Sequence, residues 1–205
     1  MISLFIDTSI SFPTISLIKE IEVLYEFHEE IKSDMSSKIL SIIDEGLKKT
    51  NLTLNSIDNI FVVTGPGSFT GVRIGVTIAK TIAWSLNKKI IPISSLEFMA
   101  TTNTSKDYVI PMIDARRGNV FAGIYTNSLD CVMKDNLISL EELLKDKSDN
   151  YELVSYDSIH AAIKPLPMII KIINKHINDE GVNPHELKPN YLKLTEAEER
   201  RLLND

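Results

Sequence analysis

In Phe61-Val62-Val63-Thr64-Gly65-Pro66-Gly67-Ser68-Phe69-Thr70-Gly71-Val72-Arg73-Ile74-Gly75, an apolar β-branched run stops at a glycine-proline-glycine turn, and a helical pattern follows at once. Four of the chain's eight glycines lie between Gly65 and Gly75, so backbone freedom is concentrated here. The pattern predicts a buried strand, a tight loop and a helix whose first turn carries unpaired N–H groups. Ser68 or Thr70 can cap that turn, and Arg73 adds positive charge beside it. Such a loop can receive an anion. It departs from both common phosphate fingerprints. A Walker A loop needs lysine and Ser/Thr after its last glycine, where this chain has Val72-Arg73; a dinucleotide loop needs glycine where Thr70 stands. These residues alone leave two readings open: phosphate contact through Gly65, Gly67 and Ser68, or a glycine-rich packing turn.

The rest of the chain supplies an alternation of strands and helices. Ser3–Asp7 is continuously apolar, as a central strand should be, while Thr14–Lys19 and Glu22–His28 alternate. Asp7-Thr8-Ser9 then falls at the carboxyl end of the first strand, where open sheets place ligand-facing groups. Met35–Lys49 has helical spacing, with Ile39, Ile42 and Ile43 on one stripe and Leu40, Ile43 and Leu47 on the next; Ser33 or Asp34 can cap it. Thr70–Leu86 carries Val72, Val76, Ala79, Ala83 and Leu86 on one face and Ile74, Ile78 and Ile82 on another. Its apolar arc spans about 200°, wider than the roughly 100° stripe of an ordinary surface helix. One sheet cannot bury both rows. Either Met35–Lys49 covers the isoleucines or a second molecule does, and Gly71 and Gly75 would let that cover approach closely.

A second lobe is predicted after the polar stretch Thr101–Asp107, giving 1–104 and 105–205 as the two units. Tyr108–Asp114 and Asn119–Tyr125 read as strands joined by a tight turn, Ala115–Gly118. Asp114 ends its strand as Asp7 ends the first. It can face a Mg-nucleotide together with Asp7, or it can hold its own turn through Arg116 or Arg117. A short helix over Ser139–Lys145, a strand over Tyr151–Ser155, a helix from Pro165 to about Asn178 and a charged amphipathic stretch over Thr195–Leu203 complete the chain.

Several chemistries are disfavoured by composition. The net charge of −6 argues against gripping a nucleic-acid backbone unaided. Cys131 is the single cysteine, which excludes an intrachain disulfide; it sits in an apolar patch and is expected to be packed. No apolar run approaches membrane-spanning length, and Met1-Ile2 leads straight into a strand, so a cytoplasmic protein is expected. His28, His160, His176 and His185 provide no H-x-x-x-H pair, so no metal site is expected. Ser68 lacks the glycine at Thr70 that a nucleophile elbow requires, so no catalytic residue is assigned.

The stretch Gly65–Gly75 resembles the signature of the bacterial TsaB (YeaZ) family. Leu4-Phe5-Ile6-Asp7-Thr8-Ser9, Pro92–Glu97, Ile113–Gly118 and Pro189–Leu192 with Ala197-Glu198 match that family in the same order along nearly the whole chain. The resemblance implies an α/β actin-like ATPase (ASKHA, ribonuclease H-like) fold of two related lobes, each a mixed sheet flanked by helices. It implies a non-catalytic dimerisation subunit that pairs with a TsaD-type threonylcarbamoyl transferase, which modifies a tRNA adenosine beside the anticodon. A TsaE-type ATPase docks at the junction, and tRNA is met through the complex. The implied interface comprises Met35, Ile39, Ile43, Gly71, Ile74, Gly75, Ile78 and Ile82, which would also join two copies of the chain on its own. Met35 stands where many members carry histidine, so that residue's role does not carry over. No cofactor is implied for the chain alone, with ATP and magnesium confined to the assembled complex around Asp7, Thr8, Ser9, Gly65, Gly67, Ser68 and Asp114. The competing expectation is an active actin-like kinase or ATPase using Asp7 and Asp114 for metal and the Gly65–Gly71 loop for phosphate.

Overall fold

The structure, a computed structural model, describes residues 1–31, 34–145, 150–159 and 161–192. Ser33, His160 and the Thr195–Leu203 stretch, with Ala197-Glu198, lie outside the described residues.

The first sheet contains β1 (Ile2–Asp7), β2 (Thr14–Lys19), β3 (Glu22–His28), β4 (Asn59–Val63) and β5 (Lys89–Ile93), in the order β3-β2-β1-β4-β5. The first three strands are antiparallel neighbours, and β4 and β5 run parallel to β1. This is the strand order of the actin-like, ribonuclease H-like fold. Parallel neighbours need crossovers, and helices supply them: α1 (Met35–Lys49) leads into β4, and α2 (Phe69–Ser85) leads into β5. The central strands carry apolar residues on both faces because both faces are covered. Leu4, Ile6, Ile60 and Val62 point into a core shared with α1 and α2. Phe5, Phe61 and Val63 point the opposite way, as the twofold alternation of a strand requires.

That opposite face packs on α3 (Ser95–Met99), α5 (Ile169–His176) and one face of a second sheet. The second sheet comprises β6 (Tyr108–Arg116), β7 (Asn119–Thr126), β8 (Cys131–Ser139) and β9 (Tyr151–Val154), ordered β8-β7-β6-β9. Its outer face forms a third, smaller core with Leu143 of α4 (Leu140–Leu144). The two lobes therefore share their middle core. Residues 182–190 also cross back to the first lobe: Val182 bridges Ile90, and the Asn190 N–H donates to the Thr64 carbonyl at 2.7 Å.

Three local expectations are corrected. Strand β8 carries no clear alternation and was not expected; it is an edge strand none of whose residues is fully buried. Cys131 opens that strand and is exposed rather than packed. Helix α5 begins at Ile169 instead of Pro165, because the Leu166 and Met168 N–H groups donate to the side chains of Thr102 and Thr101. Those bonds hold the approach extended, in keeping with the bias that Pro165 and Pro167 impose on the residues before them.

Candidate functional site

The expected ligand loops lie where strands β1, β4 and β6 end. Asp7 is fully enclosed. The Ser9 N–H donates to its Oδ1 at 2.8 Å, and the Ser9 hydroxyl lies near the carboxyl without hydrogen-bonding geometry. Burial dominates these contacts and pushes the Asp7 pKa up to about 6. What encloses Asp7-Thr8-Ser9 is the start of α2. Thr8 Oγ1 donates to the Gly71 carbonyl at 2.7 Å, and the Ser68 N–H donates to the Ser9 carbonyl at 2.7 Å.

This contact explains the glycines. A Cβ placed on Gly71 would lie 2.1 Å from the Thr8 carbonyl oxygen, and one on Gly75 would lie 2.4 Å from Thr8 Oγ1. A Cβ on Gly67 would meet the Ser9 carbonyl oxygen at 2.4 Å. Gly71 and Gly75 thus face the chain's own β1–β2 connection, not the outer surface where a partner helix was expected to approach. The capping groups are also engaged: Ser68 Oγ accepts the Gly71 N–H at 3.2 Å, and the Ser68 carbonyl accepts the Val72 N–H. On the outer side, the Ser95 N–H donates to the Gly65 carbonyl at 3.1 Å, and the Ser95 hydroxyl donates to the Pro66 carbonyl.

Asp114 occupies the same topological position in the second lobe and is exposed. Its Oδ1 accepts the Arg116 N–H at 2.8 Å, and its own N–H donates to Asp157 Oδ2 at 2.7 Å. The carboxylate therefore holds the turn through the Arg116 main chain. Arg116 and Arg117 adopt φ of 69° and 55° there, ahead of Gly118 at 75°. Between the lobes, a mainly polar cavity of about 420 Å³ is lined by Ser9, Ser68, Asp114, Arg116, Tyr156 and Asp157, among others. The structure brings Ser9, Gly67, Ser68 and Asp114 to this cavity; Asp7, Thr8 and Gly65 do not line it. Tyr156 and Asp157 follow β9 in a loop whose sequence carries no motif, and sequence reasoning missed both. The Tyr156 ring stacks on Phe12 at 5.8 Å between centroids.

The second candidate surface is the outer face of α1 and α2. Ile39, Ile43 and Ile82 are buried within the chain, so they cannot form a free interface as expected; α1 seals part of the isoleucine row. Met35, Ile74 and Ile78 remain partly exposed. With them stand Leu40, 55% exposed, and Phe69, 40% exposed, neither of which was included in the expected interface. Leu40 could have been found, since it lies on the second apolar stripe of α1. A shallow depression of about 410 Å³ runs between Leu40, Phe69, Ile74 and Ile78. Its rim is ordered by Arg73, whose guanidinium lies 3.7 Å from the Phe69 ring centroid and whose Nε donates to the Tyr191 hydroxyl at 2.8 Å.

Among the described residues, no helix is long and apolar enough to cross a membrane. No three His, Cys, Asp or Glu side chains among them converge to hold a metal ion.

Comparison with known proteins places these features in a lineage. Residues 28–188 match the model of the TsaD family, described as tRNA N6-adenosine threonylcarbamoyltransferase. The tRNA threonylcarbamoyladenosine biosynthesis protein TsaB of Bacillus subtilis (strain 168) is 34% identical over 223 aligned positions, covering 97% of this chain and 96% of that protein. A Pseudomonas aeruginosa crystal structure, described as an uncharacterized protein with similarity to peptidase YEAZ, superimposes with a TM-score of 0.80. It is 21% identical and covers 94% of this chain and 99% of its own. YeaZ from Pseudomonas aeruginosa superimposes with a TM-score of 0.77 at 20% identity, covering 93% and 99%. The two structures establish the shared fold.

Proposed function

The chain belongs to the TsaB (YeaZ) family, and from that premise we propose that it serves tRNA threonylcarbamoyladenosine biosynthesis as a non-catalytic subunit that pairs with a TsaD-type transferase. The observation that carries this reading is the apolar ground around Leu40, Phe69, Ile74 and Ile78, which the chain's own helices leave uncovered. Apolar side chains gain roughly 25 cal/mol per Å² when removed from water, and a contiguous exposed cluster of them marks an interaction surface.

Both helices offered to the partner are rigidly seated by their inner rows, so the partner meets a preformed surface. The TsaD match itself favours pairing by likeness: a transferase of related architecture would present an equivalent helix pair, and a second copy of this chain would do so as well. A TsaE-type ATPase would join at the edge of that assembly, and tRNA would be bound by the complex rather than by this acidic chain.

The test is co-purification with the TsaD-type subunit together with reconstituted tRNA modification. Ile74→Asp and Leu40→Asp should each leave the chain folded, abolish co-purification and reduce modification to the level without this subunit. Retention of the complex by both variants would overturn the assignment of this face.

A further inference from the structure

The depression between α1 and α2 has a single charged residue in its lining. Leu40, Phe69, Ile74 and Ile78 supply its apolar surface and the remaining lining side chains carry hydroxyls, so Arg73 alone is ionised. The Arg73 guanidinium lies 3.7 Å from the Phe69 ring centroid, and its Nε donates to the Tyr191 hydroxyl at 2.8 Å. The Tyr191 ring in turn stacks on Phe69, with 5.1 Å between centroids. These contacts fix the position of the guanidinium but use only one of its three nitrogens. Among the described residues, neither Nη group has a hydrogen-bond partner, and the guanidinium makes no ion pair. The carboxylates of α1 are committed elsewhere: Asp44 pairs with Lys48 at 2.5 Å and Glu45 with Lys49 at 2.6 Å. Asp34 precedes the helix and does not line the depression.

In water, an exposed guanidinium gains little from an ion pair. Under a docked partner the balance changes. Burying Phe69 strips water from the guanidinium stacked on it, and a charge buried without a counter-ion is strongly destabilising. A carboxylate satisfies both Nη groups at once, in the bidentate geometry that a planar fork favours. Because the side chain is already stacked and tethered, little of its rotamer entropy is left to lose when that pair forms. A second copy of this chain cannot supply the carboxylate from the same depression, whose lining repeats the positive charge and holds no acidic residue.

We infer that the partner lays across this depression a helix carrying a carboxylate among its apolar residues, and that Arg73 receives that carboxylate and so selects a different polypeptide over a second copy. This recognition rests on the proposed pairing with a TsaD-type subunit, and adds to it the chemical group that the partner must present.

The experiment measures the affinity of the purified chain for the TsaD-type subunit by calorimetry, and its self-association by sedimentation, at low and high ionic strength. Arg73→Met keeps an unbranched apolar stem beside Phe69 and removes the charge. It should weaken the heteromeric complex about tenfold or more and abolish most of its salt dependence, while self-association holds or strengthens. Arg73→Glu should weaken the complex further, through repulsion of the partner's carboxylate. Arg73 is exposed, so both free variants should stay folded, as thermal melting checks. Unchanged affinity and salt dependence in Arg73→Met, with Ile74→Asp still breaking the complex, would overturn the role of Arg73 and leave the docking face standing. Self-association weakened by Arg73→Met as much as the heteromeric complex would overturn the selection against a second copy. If Ile74→Asp leaves the complex intact, the docking face and the role of Arg73 fall together.

Discussion

The two lobes repeat one strand order with one difference of substance. The second sheet, β8-β7-β6-β9, follows the order of β3-β2-β1-β4, and the place of β5 is taken by a single parallel bridge between Val154 and Ile163. The first lobe inserts the seventeen-residue helix α2 between its fourth and fifth strands, whereas the second passes through a short loop. The consequence is visible at the equivalent carboxylates. Asp7 lies beneath the start of α2 and is buried, while Asp114 has no helix above it and faces the cavity. A crossover helix, rather than the strand end itself, decides whether this position is core or binding surface.

The largest effect expected from that contrast lies in the glycines. Gly71→Val drives a side chain into the Thr8 backbone and should cost about 3 kcal/mol or more, or prevent folding, as severe overpacking does. A Cβ on Gly118 in the second lobe would meet nothing within 4 Å, so Gly118→Ala should cost only about 1 kcal/mol, arising from its φ of 75°. Urea denaturation of both variants measures the difference; equal losses would show that α2 is not seated on Thr8.

The carboxylates come next. Because burial raises Asp7 to about 6 from 3.8, the folded chain holds that proton more tightly than the unfolded chain does. Stability therefore falls as pH rises between those values, and the loss is complete above them. Asp7→Asn should stabilise the protein by about 2–3 kcal/mol at pH 8, with the gain fading as pH falls from about 6 to about 4. Asp114→Asn, at an exposed position, should change stability by no more than about 0.5 kcal/mol. Denaturation at several pH values checks both expectations.

An effect smaller than that at Asp7 concerns the helix that ties the lobes together. Glu97 of α3 pairs with Lys175 at 2.7 Å and with His176 Nε2 at 3.1 Å, while His176 Nδ1 meets Asp179 at 2.8 Å. Hydrogen bonding to Glu97 raises the His176 pKa against the effect of burial. Glu97 is itself held below its usual range: hydrogen bonds from His176 and Lys175 outweigh burial, which is its largest single influence. The histidine contribution is fully present below its unfolded pKa, about 6.5, and is lost as pH rises through the higher folded value. His176→Asn should cost about 1 kcal/mol at pH 6 and less at pH 9, read from paired denaturation curves.

Much of this architecture was legible. Helix α1 spans Met35–Lys49 as its apolar spacing predicts, and the three opening strands follow from continuous or alternating apolar runs. Strand β8 was not legible because an edge strand with no fully buried residue has little reason to alternate strictly. At the site, strand ends located Asp7 and Asp114, but nothing local to Tyr156-Asp157 reveals that β9 lies beside β6 and delivers them to the cavity. The glycines of α2 misled in direction only. Their spacing signals a close approach, and sequence cannot say that the approaching backbone is Thr8 of the same chain.

The return of residues 182–192 also has a bearing on biosynthesis. The Asn190 main chain closes on Thr64, Lys80 Nζ donates to the Leu187 carbonyl at 2.8 Å, and Tyr191 braces Arg73. A ribosome delivers these residues after every strand and helix described above has been made. The half of the molecule that is translated first is thus the half whose outer wall is finished last, so α2 gains its contacts with residues 182–192 only after both sheets have been made.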